Sequence, residues 1–579
     1  MRFRLLTFSL VSGLCLIFQA PHFIPTDAIQ AEWARMAPAL TMGQLAQLPP
    51  ADRARYQLSL ARIGAPGAPE LLPPELAHPT KEIWEDLARK ARSPQERFTA
   101  LFFLNRFKAA DALVALDGLT EADAKTWPMH LHLEAQVATA RIDGGTVSPA
   151  LQAFFGGLKK GGKVDPVRAQ AAQLRLVMAS KEKALLPPLK ASPDAILSLM
   201  DSFNHGPEAA RLSMIKEAGP DPLSLLPGIG SEPSKRGALR ELVVQRLTEG
   251  APEGVPAAWI LPEAASAIPS IRQSVLGYLG KLGKEAAIPA EARQTTAVFQ
   301  ASVLPSLRIL DSAAADTLRA KLLEGPSAVA RAAAIDDLPS APADLDALAK
   351  RCFDDTDLES ALELFSALDR WKLGPEQQKA VLTPFLHHPD WGWRYQAWLQ
   401  LRKTDPTTAW PDAPAERPVD KVLLREATRL AERGRPVRLR ITFSGKRIVT
   451  LKLDPTVAPM NVANLVLLAK RHFFDGHRVP RVVPDFVVQM GSPLDTMDGG
   501  PGYSVRCEDS LVWYGPGSVG MALAGKDTGG CQFFITTNAT PHLTGKYTRV
   551  GEVENPDHDL KILDGLELGA KIESVRVIE

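Results

Sequence analysis

The chain is poor in the residues that define a disulfide scaffold or a nucleic-acid-binding protein. It has four cysteines in 579 residues, too few to hold a chain of this length together by disulfides. Cys507 and Cys531 are expected as separate thiols, although an oxidising compartment would allow a disulfide between them. The 67 basic and 66 acidic residues leave a net charge of +1, which argues against a nucleic-acid partner or a broad membrane contact.

Long apolar runs are also scarce, and the N-terminal one is short. Residues 5–18 are largely apolar and follow two arginines, but fourteen residues are few for crossing a bilayer. This pattern predicts a targeting segment over residues 1–28, with cleavage after Ala20 or Ala28 and export of the protein. An uncleaved N-terminal anchor, or a buried helix, is the alternative.

Residues 29–403 have few β-branched runs and are rich in Ala, Leu and Pro at helical spacing. A proline followed within a few residues by an arginine recurs at the start of amphipathic segments, for example at 94–97, 166–168 and 326–331. Proline suits the first turn of a helix because its missing N–H would be unpaired there anyway. The pattern resembles HEAT-type helical hairpins and predicts an α-solenoid over 29–403. The spacing is uneven, so an irregular all-α domain is also open.

The helical region has no signature of catalysis or of a cofactor. It has no phosphate-binding loop, nucleophile motif or metal-ligand spacing, and in a helix His130 and His132 would point in different directions. We therefore expect neither a metal nor a cofactor. The expected role is a protein-binding surface, by analogy with other solenoids.

The sequence pattern changes between residues 404 and 436. Residues 404–418 contain four prolines and a helix is expected over 419–432, so 404–435 is predicted as a linker with a connecting helix. From 436 to the C-terminus at 579 the apolar residues alternate, which indicates β-strands. Two helices are predicted in this domain, over 455–471 and 559–563. Strands are predicted at 437–443, 448–453, 486–490, 519–523, 532–536, 551–553 and 572–578.

Several motifs of this C-terminal domain occur in a fixed order. The first begins at Arg481 and ends at Gln489, as RVVPDFVVQ. The others are APMNVANL (458–465), FDG (474–476), GGPGY (499–503), MALAG (521–525), GCQFFIT (530–536) and PHLTGKYT (541–548). Together they resemble the cyclophilins, the last in a bacterial form. The resemblance covers about a quarter of the chain, and it implies a closed antiparallel β-barrel with two helices and peptidyl-prolyl cis/trans isomerase activity.

Two arginines compete for the key position of this family. His477-Arg478-Val479 imitates the usual His-Arg-Val/Ile motif, but the family's arginine stands five residues before its phenylalanine. Arg481 lies five residues before Phe486, whereas Arg478 lies eight before it. The resemblance therefore implies that Arg481 is the catalytic residue.

The resemblance also implies the residues that bind substrate. Phe486, Val487, Phe534 and Leu543 are expected to line a pocket for the proline ring, and Gln489 to orient Arg481 or hold the substrate carbonyl. Lining the rest of the peptide groove are Ala522, Leu523, Gln532, His542 and Tyr547. Leu523 replaces a common asparagine that pairs with the substrate backbone, so weaker peptide affinity is expected. His542 replaces a tryptophan, which suggests weak cyclosporin binding.

These observations predict an exported prolyl isomerase of the bacterial periplasm or cell envelope. Its partners would be proline-containing protein or peptide clients, with a further protein partner possible on the helical region. The alternative is a binding scaffold whose barrel holds proline-containing peptides but turns them over poorly.

Overall fold

The computed structural model describes residues 48–63, 81–91, 93–104, 297–409, 411, 417–483, 486–566 and 568–579. The predicted targeting segment and much of the predicted helical array, including His130 and His132, lie outside the described residues. Within these ranges, none of the helices combines the length and the apolar character needed to cross a membrane.

Helices account for the regular structure of the described part that precedes residue 434. Near the N-terminus they are α1 (Pro50–Ile63), α2 (Lys81–Lys90) and α3 (Pro94–Leu104). Seven further α-helices follow: α4 (Ala297–Leu310), α5 (Ser312–Glu324), α6 (Ala328–Asp336), α7 (Leu345–Asp354), α8 (Glu359–Arg370), α9 (Pro375–Leu382) and α10 (Trp391–Thr404). The connecting helix, α11, is Pro418–Arg433 and ends at Gly434, whose φ of +59° suits glycine.

Short polar side chains start several of these helices. The carboxylate of Asp311 accepts a hydrogen bond from the backbone N–H of Ala314, and that of Asp344 accepts one from Ala347. Each cap satisfies a backbone donor that has no partner inside its helix.

Helices α4 to α10 pack as neighbours. Arg331 on α6 forms a buried ion pair with Asp355, at 2.9 Å, in the loop before α8. Two apolar clusters lie between these helices. One includes Leu304, Ala315 and Leu322, and the other includes Leu364 and Phe365. The region is helical as expected, but a regular solenoid over 29–403 remains a prediction.

Eight strands of the C-terminal domain form one antiparallel sheet in the order β3-β4-β6-β5-β7-β2-β1-β8. The strands are β1 (Val437–Phe443), β2 (Arg447–Leu453), β3 (Arg481–Val483), β4 (Val487–Met490), β5 (Ser518–Met521), β6 (Phe533–Thr536), β7 (Arg549–Val553) and β8 (Ile572–Ile578). Helix α12 is Pro459–Lys470 and helix α13 is Pro556–Asp564. The predicted order of strands and helices is therefore present.

The sheet curls but its edge strands do not pair along their length, so the expected fully closed barrel is present only in part. The edges are β3 and β8. The segment before β3 meets the start of β8 through a bridge between Arg478 and Lys571. The Gly476 amide also donates to the carbonyl of Ile572 at 2.8 Å.

Helix α12 begins four residues later than predicted. The Asp454 carboxylate accepts hydrogen bonds from the backbone N–H and the hydroxyl of Thr456, at 2.9 and 2.7 Å. This local turn competes with helix formation. The helix therefore starts at Pro459, whose fixed φ suits the first helical position.

The hydrophobic core of the sheet includes residues from outside the C-terminal domain as the sequence defined it. Ala427 and Leu430 of α11, and Leu58 of α1, belong to the same buried cluster as Leu439 and Val466. The connecting helix thus packs against α12 and α1 and shares a buried cluster with residues of the sheet.

The start of α10 docks onto the C-terminal domain through Asp390. Its buried carboxylate accepts hydrogen bonds from the Gly392 and Ser504 amides, both at 2.8 Å, from the Ser504 hydroxyl and from the Arg417 guanidinium. The next residue, Trp391, donates its indole N–H to the Asp527 carboxylate at 2.7 Å. These buried polar contacts join α10 to loops of the C-terminal domain.

The buried Glu508 carboxylate caps α12 from a distant loop. It accepts hydrogen bonds from the Met460 and Asn461 amides, at 3.1 and 2.9 Å, and from the Asn461 side chain at 2.9 Å. Because α12 would lose these acceptors, we expect Glu508→Ala to lower the free energy of unfolding by about 2–3 kcal/mol. Urea denaturation checks this value. The exposed Glu552→Ala should cost about 0.5 kcal/mol or less, and equal losses for the two variants would refute the capping role.

Candidate active site

A surface cavity of about 240 Å³ lies where β3, β4 and β6 meet the helical region. Ten of the eleven candidate residues line it: Arg481, Phe486, Val487, Gln489, Ala522, Leu523, Gln532, Phe534, Leu543 and Tyr547. His542 does not. Its ring instead stacks between Phe486 and Phe102 of α3, with centroid distances of 5.6 and 5.4 Å.

The register of the sheet brings the polar candidates together. Arg481 on β3 stands opposite Gln489 on β4, and Gln489 stands opposite Phe534 on β6. The Arg481 Nη1 donates to Gln489 Oε1 at 3.2 Å, and Gln489 Nε2 donates to Gln532 Oε1 at 3.1 Å. Each glutamine thus holds the next polar group, and the guanidinium is held at the edge of the cavity.

The apolar candidates form a separate patch of the same cavity. Val487, Phe534 and Leu543 are buried in one cluster, against which Phe486 and Tyr547 pack. The Arg481 guanidinium lies 5.7 Å from the centre of the Phe486 ring, within the range of a cation–π contact. A cation therefore stands directly beside an apolar pocket.

Tyr514 was not anticipated from the sequence. It is fully buried in this cluster, its ring lies 5.9 Å from that of Phe534, and its hydroxyl donates to the Tyr547 carbonyl at 3.2 Å. Gly520 makes room for it, since a Cβ there would lie 2.4 Å from the Tyr514 hydroxyl. The WYG segment at 513–515 was the only available signal.

Arg478 has a different environment from Arg481. Its backbone N–H donates to the Asp495 carboxylate at 2.8 Å, and its Nη1 donates to the Gly569 carbonyl at 2.9 Å. It does not line the cavity. Arg481 therefore lines the cavity and Arg478 does not, whereas the catalytic role of Arg481 stays a prediction.

The helical region supplies a second wall of the cavity, which sequence reasoning missed. Residues 356–359 and Leu362, at the start of α8, line the cavity together with Trp393 of α10. Burial raises the pKa of Glu359 to about 7, and the charge of Asp357 adds to this rise. No local sequence signal pairs these residues with a strand more than a hundred positions away.

The cavity can bind an apolar group on its apolar patch and stabilise a nearby electron-rich atom through the Arg481 guanidinium. Among the described residues there is no cluster of His, Cys, Asp or Glu suited to hold a metal ion. The thiols of Cys507 and Cys531 are free and buried, and burial raises the pKa of both. A fixed guanidinium next to an apolar pocket suits a reaction without a covalent intermediate, such as rotation about a prolyl peptide bond.

The curled sheet, its two helices and this cavity define a protein of the cyclophilin class. Residues 438–578 match the family described as "Cyclophilin type peptidyl-prolyl cis-trans isomerase/CLD". A peptidyl-prolyl cis-trans isomerase of Synechococcus elongatus is 41% identical over 133 residues, which is 23% of this chain and 91% of that protein. Peptidyl-prolyl cis-trans isomerase B of Bacillus subtilis is 41% identical over 131 residues, 22% of this chain and 90% of that protein.

A solved cyclophilin-type isomerase of Cryptosporidium parvum covers 25% of this chain and 98% of its own, at 22% identity and a TM-score of 0.24. The curated relatives establish the assignment, because the chain covers nearly their whole length. Through its C-terminal quarter, the chain belongs to the cyclophilin-type peptidyl-prolyl cis-trans isomerase family.

Proposed function

We propose that the chain accelerates cis/trans isomerisation of X-Pro bonds in protein clients, with Arg481 as the catalytic residue. The observation that carries the proposal is the cavity itself, where a guanidinium held by Gln489 adjoins the apolar patch of Phe534 and Leu543. The proline ring would occupy the patch while its nitrogen lies near Arg481.

The reaction needs only a preference for the twisted amide. Rotation about the X-Pro bond breaks amide resonance, which costs about 18–20 kcal/mol. The prolyl nitrogen then becomes pyramidal and regains its lone pair. A guanidinium N–H that donates to this nitrogen stabilises the twisted state more than either planar state, as catalysis requires. Arginine suits the role because it stays charged and its planar group can be held rigidly.

The test is isomerisation of an Ala-Pro peptide by the full-length chain. Turnover that is far above the spontaneous rate supports the proposal. A chain that leaves the rate unchanged, although it is folded, refutes it.

A second candidate is a module that binds proline-containing peptides with little turnover. Leu523 favours it, because this cavity-lining position lacks the amide expected to pair with the substrate backbone. We further propose, from the sequence alone, that the protein is exported to the bacterial periplasm or cell envelope and that its helices recruit clients. Detection of the mature protein in a periplasmic fraction would test the first of these.

The Leu523 position offers a prediction for the isomerase. An asparagine there would restore one hydrogen bond to the substrate backbone, worth about 1 kcal/mol. We expect Leu523→Asn to lower KM about fivefold with kcat nearly unchanged, because that bond forms in the planar and twisted states alike. Steady-state kinetics measure both constants, and Leu523→Ala serves as the control. A KM that does not fall would show that residue 523 does not face the peptide backbone.

A further inference from the structure

One hydrogen-bonded path connects the helical region to Arg481. Beyond Gln489 and Gln532, the side-chain amide of Gln532 donates to the carbonyls of Met497 and Gly499, at 2.9 and 3.1 Å. The turn that contains Gly499 is therefore the anchor of the glutamine pair.

A residue of α8 holds the turn that contains Gly499. The Gly499 backbone N–H donates to Glu359 Oε1 at 2.8 Å. Gly499 has a φ of +85°, and a Cβ there would lie 2.8 Å from the Leu494 side chain. The turn thus has a restricted conformation, and its amide points at a carboxylate from another region of the chain.

The buried position of the Glu359 side chain is not explained by a contribution to the stability of α8. Its side chain reaches into the cavity wall, and within the described part of the chain its Oε2 is buried without a hydrogen-bond partner. An unpartnered buried oxygen is costly. Asp357 and Asp498 repel it further, since both carboxylates raise its pKa.

We propose that Glu359 is a positioning residue for the isomerase, which holds Arg481 through the Gly499 turn, Gln532 and Gln489. This inference rests on the proposed function, and it assigns to the helical region a part in catalysis. Glu359 acts through other residues and touches neither the substrate nor the reacting bond.

The test compares four full-length proteins: wild type, Glu359→Ala, Glu359→Gln and Glu363→Ala. Glu363 is the matched control, because it lies one turn further along α8, pairs with Arg370 and does not line the cavity. We expect Glu359→Ala to lower kcat about tenfold, with KM changed less than about threefold, because the loss falls on the twisted state. Glu359→Gln should recover most of the activity, since its amide oxygen can accept from Gly499.

The pH profile separates positioning from a general loss of packing. The titratable groups that face Glu359 are Asp357, Asp498 and Cys531. A charged carboxylate accepts a stronger hydrogen bond than a neutral one. Wild-type kcat should therefore rise about threefold as the pH increases through about 7, the raised pKa of Glu359. This step should be absent in Glu359→Gln.

A measurement without substrate separates this inference from the proposed function. In amide NMR spectra of the full-length chain, Glu359→Ala should shift the Gly499 N–H and the side-chain amides of Gln532 and Gln489, whereas Glu363→Ala should not. Unshifted amides, or a kcat within twofold of wild type, would overturn the inference. Shifted amides in a chain whose wild type is inactive would refute the isomerase proposal while the path from Glu359 to Gln489 stands.

Discussion

Arg481→Ala should lower kcat/KM for an Ala-Pro peptide about 100- to 1,000-fold, or about 3–4 kcal/mol, the usual effect of removing one donor aimed at a transition state. The guanidinium is the only cation among the described residues that line the cavity. Its removal leaves the apolar pocket of Phe534 and Leu543 intact, so peptide binding should persist. Steady-state kinetics combined with a peptide-binding titration would show the two effects separately.

The controls for this result are Arg481→Lys and Arg478→Ala. Lysine keeps the charge but not the planar group that Gln489 holds, so Arg481→Lys should remain at least about tenfold impaired. Arg478→Ala removes a hydrogen bond to Gly569 outside the cavity and should retain nearly full activity. If Arg478→Ala lost activity and Arg481→Ala did not, the motif alignment and the assignment of the catalytic arginine would both be wrong.

Asp390→Ala should lower the free energy of unfolding by about 3 kcal/mol. The substitution removes the buried carboxylate that accepts hydrogen bonds from the Arg417 guanidinium and from the Gly392 and Ser504 amides. The loss should destabilise the joint between α10 and the C-terminal domain, where Trp391 also bonds to Asp527. Urea denaturation of the full-length chain measures the change.

Asp344→Ala is the matched control for Asp390→Ala. Both aspartates cap the start of a helix, but Asp344 caps α7 at the exposed surface, where it accepts from the Ala347 N–H. Its replacement should cost about 1 kcal/mol, the usual value for a helix cap. Equal losses would mean that Asp390 acts as an ordinary cap and that its contacts with Ser504 and Arg417 add little.

The C-terminal fold was accessible from the sequence because its signals are local. Alternation over 437–443 identified β1. The spacing to Phe486 favoured Arg481, which lines the cavity, over Arg478, which does not. Errors occurred where a side chain overrides the local pattern. At Asp454, an aspartate turn delays the start of α12, and such a bond is not visible in the apolar periodicity.

The second wall of the cavity could not be predicted from the sequence, because it depends on contacts between distant segments of the chain. Glu359 and Trp393 belong to segments whose sequence indicates only amphipathic helices. Their positions in the same cavity as Arg481 depend on how α8 and α10 dock. That docking rests on single polar residues such as Asp390 and Trp391. Local periodicity carries no information on contacts between residues so far apart in the chain.

The most direct test of the account is NMR exchange spectroscopy of an Ala-Pro peptide with a substoichiometric amount of the full-length chain. Uncatalysed exchange takes tens to hundreds of seconds. The account predicts cis–trans exchange cross-peaks at mixing times of less than a second in the presence of wild type, and their loss with Arg481→Ala. Peptide resonances that shift on binding, without any exchange cross-peaks, would contradict the isomerase and identify the cavity as a binding site only.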